Sequence, residues 1–181
     1  KKASSLKTSC PWANGTTMTS NGTAIIVSDV WANALPHDIA DYPNLEQEIR
    51  LFSEYLNYVM RHERNKGTTI IHDPTNNPIM DTMDINGDII LEWFTQGDQV
   101  GVNMPTHFDR YLICGFHYAR CIWDKCSAFS PLIQQGKEVG AIINLSHWLF
   151  RDSVQDQAER MMQFDNYIWT PKEITKVKIS L

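Results

Sequence analysis

A thiol, Cys121, and two carboxylates, Asp29 and Glu92, are the side chains of this chain best suited to covalent chemistry. A thiolate attacks carbonyl carbon, and a carboxylate within hydrogen-bond reach can take the thiol proton and return it to a leaving group. Cys121 follows the run RYLICGF. Residues 110–114 read as a short buried strand, Gly115 punctuates it, and from His117 onward the residues suit a helix, with Ile122, Lys125, Cys126 and Phe129 at helical spacing. Cys121 would then lie in the first turn of that helix. The unpaired N–H groups and positive dipole end there stabilise a thiolate, lower its pKa and can bind a developing oxyanion. A buried cysteine with a packing role is the competing reading.

Strands and helices alternate around these residues. Residues 23–30 (TAIIVSDV) form a continuous apolar run that reads as a strand buried on both faces and carries Asp29 at its carboxyl end. Residues 45–66 keep an apolar helical face through Ile49, Phe52, Leu56, Val59 and Met60, with Gly67 as the stop. Residues 68–72 (TTIIH) read as a second strand, and residues 89–93 as a third with Glu92 near its end. Residues 139–145 and 167–170 read as a fifth and sixth strand, with a helix over 151–164 between them. This alternation predicts an α/β fold: a three-layer α-β-α, Rossmann-like arrangement with a parallel sheet of about six strands. In open sheets of this kind ligands bind beyond the carboxyl ends of the strands, which is where Asp29, Glu92 and Cys121 fall.

At 181 residues the chain is long enough for a core of its own. Residues 1–22, rich in Ser, Thr and Asn, read as a flexible arm, and residues 23–181 as one domain. A net charge of −5 gives no electrostatic reason to expect nucleic acid or an anionic membrane as partner. No apolar run reaches membrane-spanning length. Four cysteines, Cys10, Cys114, Cys121 and Cys126, show no C-x-x-C spacing, so reduced thiols in a cytoplasmic setting are expected. His37, His62, His72, His107, His117 and His147 show no ligand spacing, and neither a metal nor another cofactor is expected. His72, Trp31 and Phe116, near strand ends, are candidate walls of a pocket for a small molecule.

The segments IIVSDVW, LICGFHYARCI, KEVGAIINL and YIWT, in that order, resemble the isochorismatase-like cysteine hydrolases, which include nicotinamidases and carbamoylsarcosine amidases. The resemblance spans residues 23–170, and five residues separate Gly115 from Cys121 as in the family's nucleophile motif. It implies hydrolysis of a small amide or related C–N bond, with Cys121 as nucleophile and Asp29 as the proton-transferring acid and base. It also implies an oxyanion hole from the backbone N–H groups of His117 and Cys121, a non-proline cis peptide between Phe116 and His117, and a homo-oligomer, dimer or larger. One position departs. Where the family has a Lys at the end of the third strand, GDIILEW offers Glu92. A carboxylate there would replace a cation beside Asp29 by a second acid, and paired carboxylates hold a proton between them. The alternative reading is therefore a catalytically impaired relative that binds a small molecule or a protein.

Overall fold

The first strand, β1 (Thr23–Ser28), is buried on both faces, as its unbroken apolar run requires. A computed structural model describes residues 22–30, 45–116, 127, 129–147 and 168–169. Within them β1 is followed by α1 (Leu45–Asn65), β2 (Thr69–Asp73), β3 (Ile89–Ile90), β4 (Trp93–Gln96) and β5 (Gln99–Val102). Then come β6 (Arg110–Phe116), a short helix α2 (Phe129–Gln134), β7 (Glu138–His147) and β8 (Ile168–Trp169). Six strands form one sheet in the order β3-β2-β1-β6-β7-β8, and every neighbouring pair is parallel. Strands β4 and β5 form a separate antiparallel hairpin. The expected α/β class with a six-stranded parallel sheet is therefore present.

The two faces of the sheet carry separate cores, because successive strand residues point to opposite sides. Ile25 and Val27 of β1, with Ile70, Leu112 and Cys114, meet Ile49, Leu56, Val59 and Met60 of α1. Ala24 and Ile26 of the same strand, with Ile71, Tyr111 and Ile113, meet Leu132 of α2 and the chain at Val102, Met104 and Phe108. Each fully buried Ile or Leu side chain contributes about 1.5–3 kcal/mol. Tyr111 keeps its polar tip satisfied by donating from its hydroxyl to the Pro105 carbonyl at 2.5 Å. Burial pushes its phenol up to about 12.

Helix α1 stops where its sequence says it should. Gly67, at φ 86°, donates to the Arg64 carbonyl (2.9 Å) while Thr68 donates to Glu63 (3.1 Å), a left-handed glycine cap. Just before β3, Asp88 then ties three elements together. Its carboxylate accepts from Arg64 Nε at 2.7 Å and Nη2 at 2.5 Å, and shares a 2.7 Å hydrogen bond with His72 Nε2 of β2. Burial alone would raise the Asp88 carboxyl, but the hydrogen bonds and charges of His72 and Arg64 outweigh it and hold the group below the usual carboxylate range. A carboxyl depressed in the fold stabilises it above the unfolded value of about 3.9, and that contribution is lost as pH falls through the folded value. Asp88→Asn is accordingly expected to cost about 3 kcal/mol near neutral pH. Urea denaturation should show the gap to wild type narrowing below about pH 4.

β1 ends at Ser28 rather than residue 30 and β2 is shifted by one residue to Thr69–Asp73, and three further elements differ. The third strand is only Ile89–Ile90, not 89–93, because the chain leaves the ladder after Ile90 and enters the β4–β5 hairpin at Trp93, whose two strands are joined by the two-residue turn Gly97-Asp98. Strand β6 runs on through Gly115 to Phe116 instead of ending before the glycine. Gly115 (φ 116°) is a close-approach residue there: a Cβ would lie 2.1 Å from the Ser28 carbonyl oxygen. Strand β7 extends beyond 139–145 at both ends. Residues 1–21 of the expected arm over 1–22, residues 117–126 of the helix expected from His117 onward and the helix over 151–164 lie outside the described residues, while Ser127 is in a turn and Phe129 opens α2. Among the described residues no helix is long and apolar enough to cross a membrane.

Candidate functional site

The chain leaves β1 for β2 on one side and later returns to β1's other side with β6, so the strand order reverses between β1 and β6. The carboxyl edge at such a reversal is the crevice where open α/β sheets bind ligands. Three strand ends meet there. β1 delivers Ser28 and Asp29, β2 delivers Asp73 opposite Ser28, and β6 delivers Gly115, also opposite Ser28. The missing Cβ of Gly115 lets the β6 backbone close on Ser28.

Asp29 steps out of β1 in the left-handed region at φ 59°, which Asp tolerates better than most residues. Its N–H donates to the Asp73 carbonyl at 2.9 Å. Its carboxylate is fully buried and accepts from the Thr75 hydroxyl on Oδ1 (3.1 Å) and from the Ser28 hydroxyl on Oδ2 (3.4 Å). Burying a carboxylate is costly unless donors surround it, and these are donors.

Asp73 is equally buried and more densely bonded. Oδ1 accepts the Thr75 N–H at 3.1 Å and the Trp93 indole N–H at 2.7 Å, and Oδ2 accepts the Ser127 hydroxyl. Ser127 is six residues past Cys121 in the sequence, so Asp73 fastens the far end of the cysteine segment to the sheet edge. The loop after β2 completes the arrangement. Thr75 (φ 49°) and Asn76 (φ 60°) are both left-handed. The Asn76 amide accepts from the Trp93 N–H and donates to the Trp93 carbonyl, each at 3.2 Å, and so fixes the start of the hairpin.

The sequence-predicted residues divide. Asp29 directly follows the carboxyl end of β1, beside the strand-order reversal. Glu92 is exposed on the connector between β3 and β4, where its carbonyl accepts the Asn103 N–H at 3.0 Å. The carboxylate adjoining Asp29 is Asp73 instead, because β3 ends too early for Glu92 to sit at a strand terminus. His72 is buried on the Asp88–Arg64 cluster rather than left open as a wall. The Phe116 ring is in the α1-side core, 5.7 Å from that of Phe52. Trp31, His117 and Cys121, and with them the Phe116–His117 peptide, reach beyond the described residues. Cys114 is fully buried, and burial pushes its thiol up, away from reactivity.

Sequence reasoning passed over Asp73, Thr75 and Ser127 as site residues. Asp73 carried a signal: it ends an apolar strand, as Asp29 does. Among the described residues no group of three or more His, Cys, Asp or Glu side chains could hold a metal ion. Chemically, the edge offers one carboxylate oriented by two hydroxyls and a second that holds the surrounding segments in place. No family model, no curated protein and no solved structure matches this chain.

Proposed function

We propose that this protein is an isochorismatase-like cysteine hydrolase that cleaves a small amide or related C–N bond. The observation that carries the reading is the buried Asp29, oriented by Thr75 at the strand-order reversal beside the β6 end that leads into the Cys121 segment. A carboxylate held in this way suits proton transfer to and from a thiol. In the reaction Asp29 takes the Cys121 proton as sulfur attacks the carbonyl carbon. The oxyanion is held by the backbone N–H groups of His117 and Cys121. Asp29 then protonates the departing amine, the C–N bond breaks, and a thioester remains. Water, deprotonated by Asp29, attacks the thioester, and the thiol leaves with its proton restored. No cofactor enters this chemistry. The substrate is a small molecule, and the working form is a three-layer, Rossmann-like cytoplasmic domain in a dimer or larger assembly.

The exposure of Glu92, at the position where the family has Lys, favours a second reading: a catalytically impaired relative that binds a small molecule or protein. Amine or ammonia release from a panel of small primary amides and ureido compounds separates the two. Turnover by the wild type, lost at least about a thousandfold in Cys121→Ser and in Asp29→Asn, is the expected result. Turnover that survives Cys121→Ser contradicts the nucleophile assignment, and wild type inert on the whole panel favours the binding protein.

A further inference from the structure

We propose that Thr75 is a positioning residue for the Asp29 carboxylate, and this rests on the reading of Asp29 as the proton-transferring group for Cys121. A β-branched residue at positive φ is an outlier, because its Cβ substituents crowd the backbone, and such outliers persist only where the surroundings over-determine them. Thr75 is held at φ 49° from both sides. Its N–H is drawn to Asp73 Oδ1, and Asp73 is itself fixed by the Trp93 indole and the Ser127 hydroxyl. One residue on, the Asn76 amide grips the Trp93 backbone through both its N–H and its carbonyl.

The conformation that this scaffold imposes directs the Thr75 hydroxyl to Asp29 Oδ1 at 3.1 Å. A turn alone would be better served by glycine or asparagine, which accept positive φ at less cost. What threonine adds is a hydroxyl at the end of a stiff χ1, and the hydroxyl is spent on Asp29. Together with the longer bond from Ser28 to Oδ2 (3.4 Å), this donor on Oδ1 orients the carboxylate and with it the direction in which Asp29 presents its oxygens. Asp73 extends the same network to Ser127, six residues past Cys121 in the sequence.

Three substitutions in the full chain test this, with iodoacetamide as the probe and the alkylation rate of Cys121 followed by peptide mass spectrometry from about pH 5 to about pH 9. Asp29→Asn sets the benchmark displacement of the rate–pH profile. Thr75→Gly relieves the backbone strain, which offsets part of the cost of taking a donor from the buried Asp29 carboxylate, and it lacks the hydroxyl. It is expected to displace the profile in the same direction as Asp29→Asn, by about tenfold in rate near neutral pH. Thr75→Ser keeps the hydroxyl and should stay within about twofold of wild type. A wild-type profile in Thr75→Gly, or a Thr75→Ser profile displaced as far as that of Thr75→Gly, overturns the role of Thr75 and leaves the Asp29–Cys121 reading standing. A wild-type profile in Asp29→Asn overturns both.

Discussion

Replacing Gly115 with alanine should remove most of the stability of the domain. The new Cβ would lie 2.1 Å from the Ser28 carbonyl oxygen and 2.8 Å from the Ser28 nitrogen, both backbone atoms of the neighbouring central strand. No side chain can swing aside to relieve that clash. The backbone at φ 116° also disfavours any L-residue. Strands β1 and β6 pair along their whole length, so moving one from the other breaks the middle of the sheet. A loss of more than about 4 kcal/mol is expected, which is a large part of the stability of an ordinary domain. Circular dichroism on thermal unfolding measures it. A melting temperature within a few degrees of wild type would mean that the β1–β6 approach is looser than described.

Asp73→Ala should have the next largest effect. It strands three donors at once, the Trp93 indole N–H, the Ser127 hydroxyl and the Thr75 N–H. Each bond to a charged acceptor is worth about 1.5–3 kcal/mol, and buried donors left unpaired keep their desolvation cost. Because water can refill part of the space, the sum is not additive, and about 3–5 kcal/mol is the expected total. Asp73→Asn, which retains one carbonyl oxygen, should lose less. Urea titration of both variants gives the comparison. A change within about 0.5 kcal/mol for Asp73→Ala, as for an ordinary surface substitution, would show that the network does not hold the edge together.

Much of the fold was legible because periodicity reports burial directly. The unbroken apolar run of β1 and the helical stripe ending at Gly67 in α1 each follow from which faces are covered. What escaped depended on partners distant in sequence. Gly115 looks like a chain breaker from its neighbours alone, whereas its purpose is room for Ser28 on another strand. The third strand was drawn too long because Ile89, Ile90, Leu91 and Trp93 are apolar and nearly continuous. The Gly97-Asp98 pair, flanked by strand-like residues, was the available sign of the hairpin. That error placed Glu92 at a strand end.

The site was half legible. Asp29 follows from the rule that ligands gather at strand carboxyl ends, and Asp73 would have followed had β2 been extended by one residue. Thr75 was beyond reach, since a β-branched residue in a left-handed conformation runs against its local preference. Ser127 enters only through its bond to Asp73, across 54 positions of sequence.

The central claim is that Cys121 is the reactive thiol of the crevice that Asp29 occupies. Its most direct test is treatment of the folded protein with an equimolar amount of iodoacetamide near neutral pH, followed by peptide mass spectrometry of all four cysteines. Cys121 is expected to carry most of the label and the buried Cys114 the least. Label that goes first to Cys10 or Cys126 while Cys121 stays unmodified would contradict the claim.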